Sequence, residues 1–201
     1  MRHRSSRTAV VVGLLAASIP VLAGCGPAPW DLPRSDAPTP SQSASPVAPP
    51  AQNDLSSGST QRDLTAGPVA ATISYWSTLR MDRWTPSAVK PISLSMETHV
   101  TPDNGQKVYL QRATMTAVPS NGSQTFDPLD PQVDQSTVAP GYLVLAPYSY
   151  SNSFNIGTLP DDATSVTVQF VYDFLVQTTP TSTEYAKQTA TDTLTIAISR
   201  S

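Results

Sequence analysis

Cysteine, histidine, glycine and charge are all scarce in this chain, and each shortage excludes something. Its one cysteine, Cys25, cannot close an internal disulfide, so a fold downstream of it must be held by its core alone. The two histidines, His3 and His99, are too few for a zinc or iron site built from several Cys and His ligands. Nine glycines leave little room for a phosphate-cradling loop, and no Gly-x-x-x-x-Gly-Lys-Ser/Thr run occurs. Charged residues make up 13% of the 201 positions, against about 25% in ordinary soluble domains. Acids outnumber bases, 15 to 12, so neither nucleic acid nor anionic lipid meets a basic footprint. The longest apolar run, 9–23, falls short of the ~20 residues that a spanning helix needs.

That apolar run has a setting of its own. Arg2, Arg4 and Arg7 precede it, Gly13, Ser18 and Pro20 interrupt it, and Leu22-Ala23-Gly24-Cys25 follows its last valine. A basic start, an apolar stretch and a small-residue boundary describe a secretory signal peptide. The tetrapeptide resembles the lipobox of bacterial lipoproteins at all four positions. The resemblance implies that residues 1–24 are removed and that Cys25 becomes an acylated N-terminus. It also implies an anchor on the extracytoplasmic side of the cell membrane, with two or three acyl chains holding where one would not. Without the three arginines, 9 bases face 15 acids, a net charge of −6.

Residues 26–68 are rich in Pro, Ala, Ser and Thr, with eight prolines between 27 and 50. Such a composition cannot bury enough apolar surface to offset its ordering entropy, and it reads as a disordered tether with polyproline II character. Trp30 is its one large aromatic. Tethers of this kind behind a lipobox look like those of actinobacterial lipoproteins, whose Ser and Thr residues offer acceptors for O-glycans.

From Val69 the hydrophobic period becomes two. Ala71, Ile73, Tyr75, Leu79 and Met81 share one face, then Ile92, Leu94, Met96 and Val100 share another. The run 107–118 changes face near Arg112, which predicts a bulge. Pro102-Asp103-Asn104-Gly105 predicts a turn with positive φ. A long polar excursion over 118–141 precedes short strands at 142–148 and 151–156. The most regular strand, 166–176, carries Val171 and Leu175 on its second face, as a central strand does. The last strand spans 189–198. About seven strands without crossover helices predict an antiparallel β-sandwich over 69–201. Leu159-Pro160-Asp161-Asp162-Ala163 entering a Val/Phe/Tyr strand resembles the E–F corner of immunoglobulin-like domains, without the corner tyrosine or the paired cysteines.

The residues offer little for catalysis. His99 falls on the polar face of its strand with Glu97, and no Gly-x-Ser-x-Gly or Ser-x-x-Lys accompanies them. Glu97 and Glu184, the two glutamates, have nothing that places them across a sugar cleft. Asp127, Asp130 and Asp134 are the candidates for an oxygen-only Ca²⁺ site. The sequence therefore points to no cofactor and to a protein that is not an enzyme. Aromatic recognition fits better. Tyr142, Tyr148, Tyr150 and Phe154 cluster among Ser and Asn, and Trp76, Arg80, Arg83 and Trp84 add residue types enriched at binding hot spots. The expected function is a membrane-anchored binding or scaffolding module for an extracytoplasmic protein or a cell-wall glycan. The alternatives are a carrier with a cavity between its sheets and, third, an envelope hydrolase.

Overall fold

Alternation of inward apolar and outward polar side chains builds nine strands among residues 52–200, the part of the chain that the computed structural model describes. β1 spans Ser59–Ala66, β2 Val69–Trp76, β3 Lys90–Val100, β4 Val108–Ser120 and β5 Gln132–Gln135. β6 is Tyr142–Leu143, β7 Ser149–Ile156, β8 Ser165–Gln177 and β9 Tyr185–Ala197. One sheet runs β1-β2-β3-β7 and the other β5-β4-β8-β9, with β6 beside β5 on the same edge of β4. Every pairing of named strands is antiparallel.

The connectivity is that of an immunoglobulin-like sandwich: β2, β3 and β7 stand where strands A, B and E stand, and β4, β8 and β9 where C, F and G stand. Leu159–Ala163 links β7 to β8, so the segment resembling an E–F corner occupies that corner. Leu159 and Ala163 are buried there, and the Ala163 N–H donates to the Pro160 carbonyl at 2.9 Å. The register shifts between Leu110 and Arg112, where the bulge was expected. Gly105 has φ +86°, as the predicted turn requires.

The layer between the sheets is filled with large side chains. The rings of Tyr75 and Phe170 lie 5.1 Å apart across it, and Phe154 meets Phe170 edge-on at 5.8 Å. The hydroxyls of Tyr75 and Tyr172 share a hydrogen bond of 3.0 Å between the sheets. No disulfide ties the sheets, and this pair links β2 to β8 across the gap. Burial, with the neighbouring Asp192 charge, pushes both phenols above their ordinary range, so both stay protonated.

Four expectations need correction. The folded region begins well before Val69: β1 lies inside the stretch read as tether, and Leu55 is fully buried. Leu79 and Met81 leave the strand; β2 ends at Trp76, and Met81–Arg83 forms a 3-10 turn that keeps both side chains against the core. The polar excursion contains β5. The run 142–148 holds only the two-residue β6, because its backbone then crosses to the other sheet. The signal peptide, the lipobox Leu22-Ala23-Gly24-Cys25, Trp30 and the tether up to residue 51 lie outside the described residues.

Candidate functional site

The crossover after β6 builds the most distinctive edge of the molecule. The Val144 N–H donates to the Val108 carbonyl on β4, while the Val144 carbonyl accepts from the Thr98 N–H on β3, each at 3.0 Å. The Thr98 hydroxyl donates to the same carbonyl, and the Ala146 N–H donates to the Thr98 carbonyl, again at 3.0 Å. Residues 142–149 thus step from one sheet to the other and close the side of the sandwich between β5 and β7. A backbone that changes sheets cannot bury every side chain it carries, and Tyr142 and Tyr148 remain outside.

Three tyrosine positions then sort by geometry. Tyr150, on the inward register of β7, is 6% exposed and donates to Asp134 Oδ2 at 2.6 Å. Tyr142 donates to Asp134 Oδ1 at 3.2 Å, and its ring lies 5.5 Å from that of Tyr150. Burial and the Asp134 carboxylate push both hydroxyls up, which keeps them as donors. Asn152 donates to the Tyr150 hydroxyl at 3.1 Å. Further along the seam the Gln132 side chain grips Asn155, donating to its carbonyl and accepting its N–H at 3.0 Å. This seam is a preformed scaffold, and beside it Tyr148 stands 57% exposed.

Other predicted site residues fall elsewhere. Trp84 is fully buried, its indole N–H donating to the Leu79 carbonyl at 3.2 Å and to Ser77 Oγ at 3.3 Å. Phe154 is 3% exposed and belongs to the core with Tyr150. Trp84, Tyr150 and Phe154 are therefore corrections: the inward register of β7 commits Tyr150 and Phe154 to packing, and the turn after the 3-10 segment puts Trp84 into the core. Trp76 points outward from β2 and is half-buried, while Arg80 and Arg83 are exposed around the 3-10 turn. Trp76 is on the outward face of β2 while Trp84 is in the core, so the two form no shared patch.

Asp127, Asp130 and Asp134 do not converge: among the described residues no three Asp, Glu, His or Cys side chains gather in a ligand set. Asp134 is occupied by the two tyrosine hydroxyls, so the Ca²⁺ candidates are withdrawn. His99 is exposed on the outward face of β3, opposite Ala70. Glu97 is on that face two residues away, and Glu184 is exposed in the connection leading into β9.

One polar cluster went unread in the sequence. Asp173, 3% exposed on the outward face of β8, accepts from Arg112 at 2.6 Å, Lys187 at 3.2 Å and Thr189 at 2.8 Å. Burial alone would raise its carboxyl, but those three donors outweigh it and hold the group below its usual range. The run Val171–Leu175 reads as apolar, and only the register to Arg112 and Thr189 reveals the partners. At the E–F corner an open depression of about 390 Å³ is lined by Pro86, Asp161, Asp162 and Arg200. No protein-family model matches this chain, and no curated protein sequence matches it.

Proposed function

We propose that this chain is a lipid-anchored, extracytoplasmic binding module whose crossover edge docks a protein partner without catalysis. One observation carries the reading: of five exposed large apolar side chains among the described residues, Val133, Val138, Tyr142 and Tyr148 fall within 133–148, and Val89 is the fifth. They flank the seam that Asp134, Gln132 and Tyr150 hold rigid, so a partner would meet an ordered surface and less ordering entropy would be lost on docking. Tyrosine beside small polar residues is suited to such contacts, with large area and few rotatable bonds. The lipobox resemblance at Leu22–Cys25 supplies the address, and the acidic balance of the chain disfavours a nucleic-acid partner.

A photo-crosslinking residue placed at Tyr148, and separately at Gln169, in intact cells tests the docking edge. Gln169 is exposed on the outward face of β8, in the other sheet. The expected result is one discrete crosslinked band from position 148 and none from 169. Equal crosslinking at the two positions, or none at 148, contradicts the assignment.

A further inference from the structure

A second surface carries chemistry that the docking edge does not use. The registers of the four-stranded sheet align outward side chains in rows that cross the strands. The central row reads Gln61, Ser74, Ser95 and Ser151. Trp76 rises in the row on one side, between Ser59 and Ser93. Asp63, Thr72 and Glu97 stand in the row on the other.

Small side chains between larger ones make a trough. The structure has a depression of about 250 Å³ there, lined by Gln61, Thr72, Ser74, Ser95 and Glu97. With strands ~4.8 Å apart, its floor over β1, β2 and β3 runs ~10 Å across the sheet, and successive rows lie ~6.8 Å apart. A short oligosaccharide fits that length.

The lining also selects a chemistry. Ser74 and Ser95 offer hydroxyls, Gln61 an amide and Glu97 a carboxylate, and among the described residues none of these side chains is hydrogen-bonded to another protein group. Asp63 accepts the Thr72 hydroxyl at 2.8 Å, which fixes the acidic wall. Donors and acceptors are thus interleaved, as a polyol requires. No lysine or arginine occupies these rows. Two carboxylates without a compensating base repel phosphates, sulfates and uronates while accepting hydrogen bonds from neutral hydroxyls. Trp76 adds an apolar face at the trough margin, of the kind that packs on the C–H side of a pyranose ring. The opposite sheet differs: its outward face carries the Arg112–Asp173–Lys187 ion cluster and the apolar Val171 and Leu175.

We propose that this trough binds an uncharged carbohydrate chain, with Ser74, Ser95, Gln61 and Glu97 addressing its hydroxyls and Trp76 stacking on one ring. The site is separate from the Tyr142–Tyr148 edge and does not depend on it. A sandwich carrying both would hold a glycan on one sheet face and a protein at one side.

Calorimetric titration of the full chain in a sugar-free detergent tests the site. The probes are cellohexaose, linear mannohexaose and N-acetylchitohexaose, with hexagalacturonate as the anionic contrast. At least one neutral hexamer binds at millimolar concentration or tighter, and the uronate does not. Trp76→Ala weakens binding at least about tenfold, in keeping with the loss of an aromatic anchor. Ser95→Arg, a bulky cation at a half-buried outward position, abolishes it. Tyr148→Ala leaves it unchanged, which separates this site from the docking edge. Should Trp76→Ala unfold, Ser95→Arg decides, with an unchanged melting temperature as its control. Absence of binding by all three neutral hexamers, undiminished binding by folded Ser95→Arg, or equal binding of the uronate overturns the proposal.

Discussion

Lys90 shows how far burial can override a residue's ordinary place. The side chain is fully buried at the start of β3, and its ammonium donates to the carbonyls of Thr85, Pro86 and Ala88 at 3.0, 3.2 and 2.5 Å. Three backbone acceptors replace the water it loses and fix the loop that turns from the 3-10 segment into β3. Burial still favours the neutral amine and lowers the pKa to about 8, from an ordinary 10.5. Between these values the unfolded chain holds a proton that the folded chain has released. This group's contribution to stability therefore rises with pH across that window. Compared with Lys90→Met, the native protein should gain stability in thermal unfolding as pH goes from 8 to 10.5; a difference that stays flat or shrinks contradicts the assignment. Asp173 gives the same sign for the opposite reason, since its donors favour the charged form: its depressed pKa gives stability that is lost as pH falls through the acid range. At this scale the sequence was a partial guide. Alternation around Ile73, Leu94 and Phe170 placed the core correctly. Residue type misled at Tyr150 and Phe154, because an aromatic marks a binding surface only if its register faces outward, and face is a property of the whole strand; it misled at Trp84 because a turn outside the strands packs that ring into the core.

At the scale of elements, β1 is the lesson. STQRDLTA offers only Leu64 and Ala66 as aliphatic side chains and follows a polar stretch behind the proline-rich one, so composition reads it as more tether. It is an edge strand. Its inward face lies over β9 at the open side of the sandwich, where Arg62 pairs with Asp54 at 3.0 Å, and edge strands tolerate such polar patterning. Gly67-Pro68, which reads as a domain boundary, is the two-residue turn of the β1–β2 hairpin, with Gly67 at φ +57°. The Asp54 N–H donates to the Thr195 carbonyl at 2.8 Å, and the Thr195 N–H donates to Asp54 Oδ2 at 2.7 Å, so the chain before β1 also pairs with β9. A fragment starting at residue 52 should unfold cooperatively. One starting at 69 loses Leu55, worth ~1.5–3 kcal/mol of burial by itself, and also bares the β2 edge. It should lose several kcal/mol in denaturant unfolding, a large part of the ~5–15 kcal/mol typical of a domain. Equal stability of the two fragments would mean that β1 only decorates the fold. The crossover at 142–149 was equally illegible, since its apolar run YLVLAPY reads as a strand until the partners of Val144 are known.

For the whole molecule, sandwich class and the E–F corner were legible because alternation and turn residues recur along the chain. Strand order was not, since pairing β3 with β7 and β4 with β8 depends on contacts far apart in sequence. The candidate surfaces divide in the same way. Tyr142 and Tyr148 stood out by composition, while the hydroxyl-rich trough emerged only from cross-strand register. The proposed arrangement places a protein-docking side and a carbohydrate-binding sheet face on one sandwich, behind a chain whose one thiol, Cys25, ends a lipobox-like tetrapeptide. The proposed address at the outer face of the membrane would set what both surfaces can meet, so the anchor is the central claim of the proposal. Labelling cells with a radioactive fatty acid, then fractionating wild-type and Cys25→Ala protein, measures it directly. The account predicts label and membrane association in the wild type, and loss of both in Cys25→Ala; undiminished label or membrane retention in the variant would contradict it.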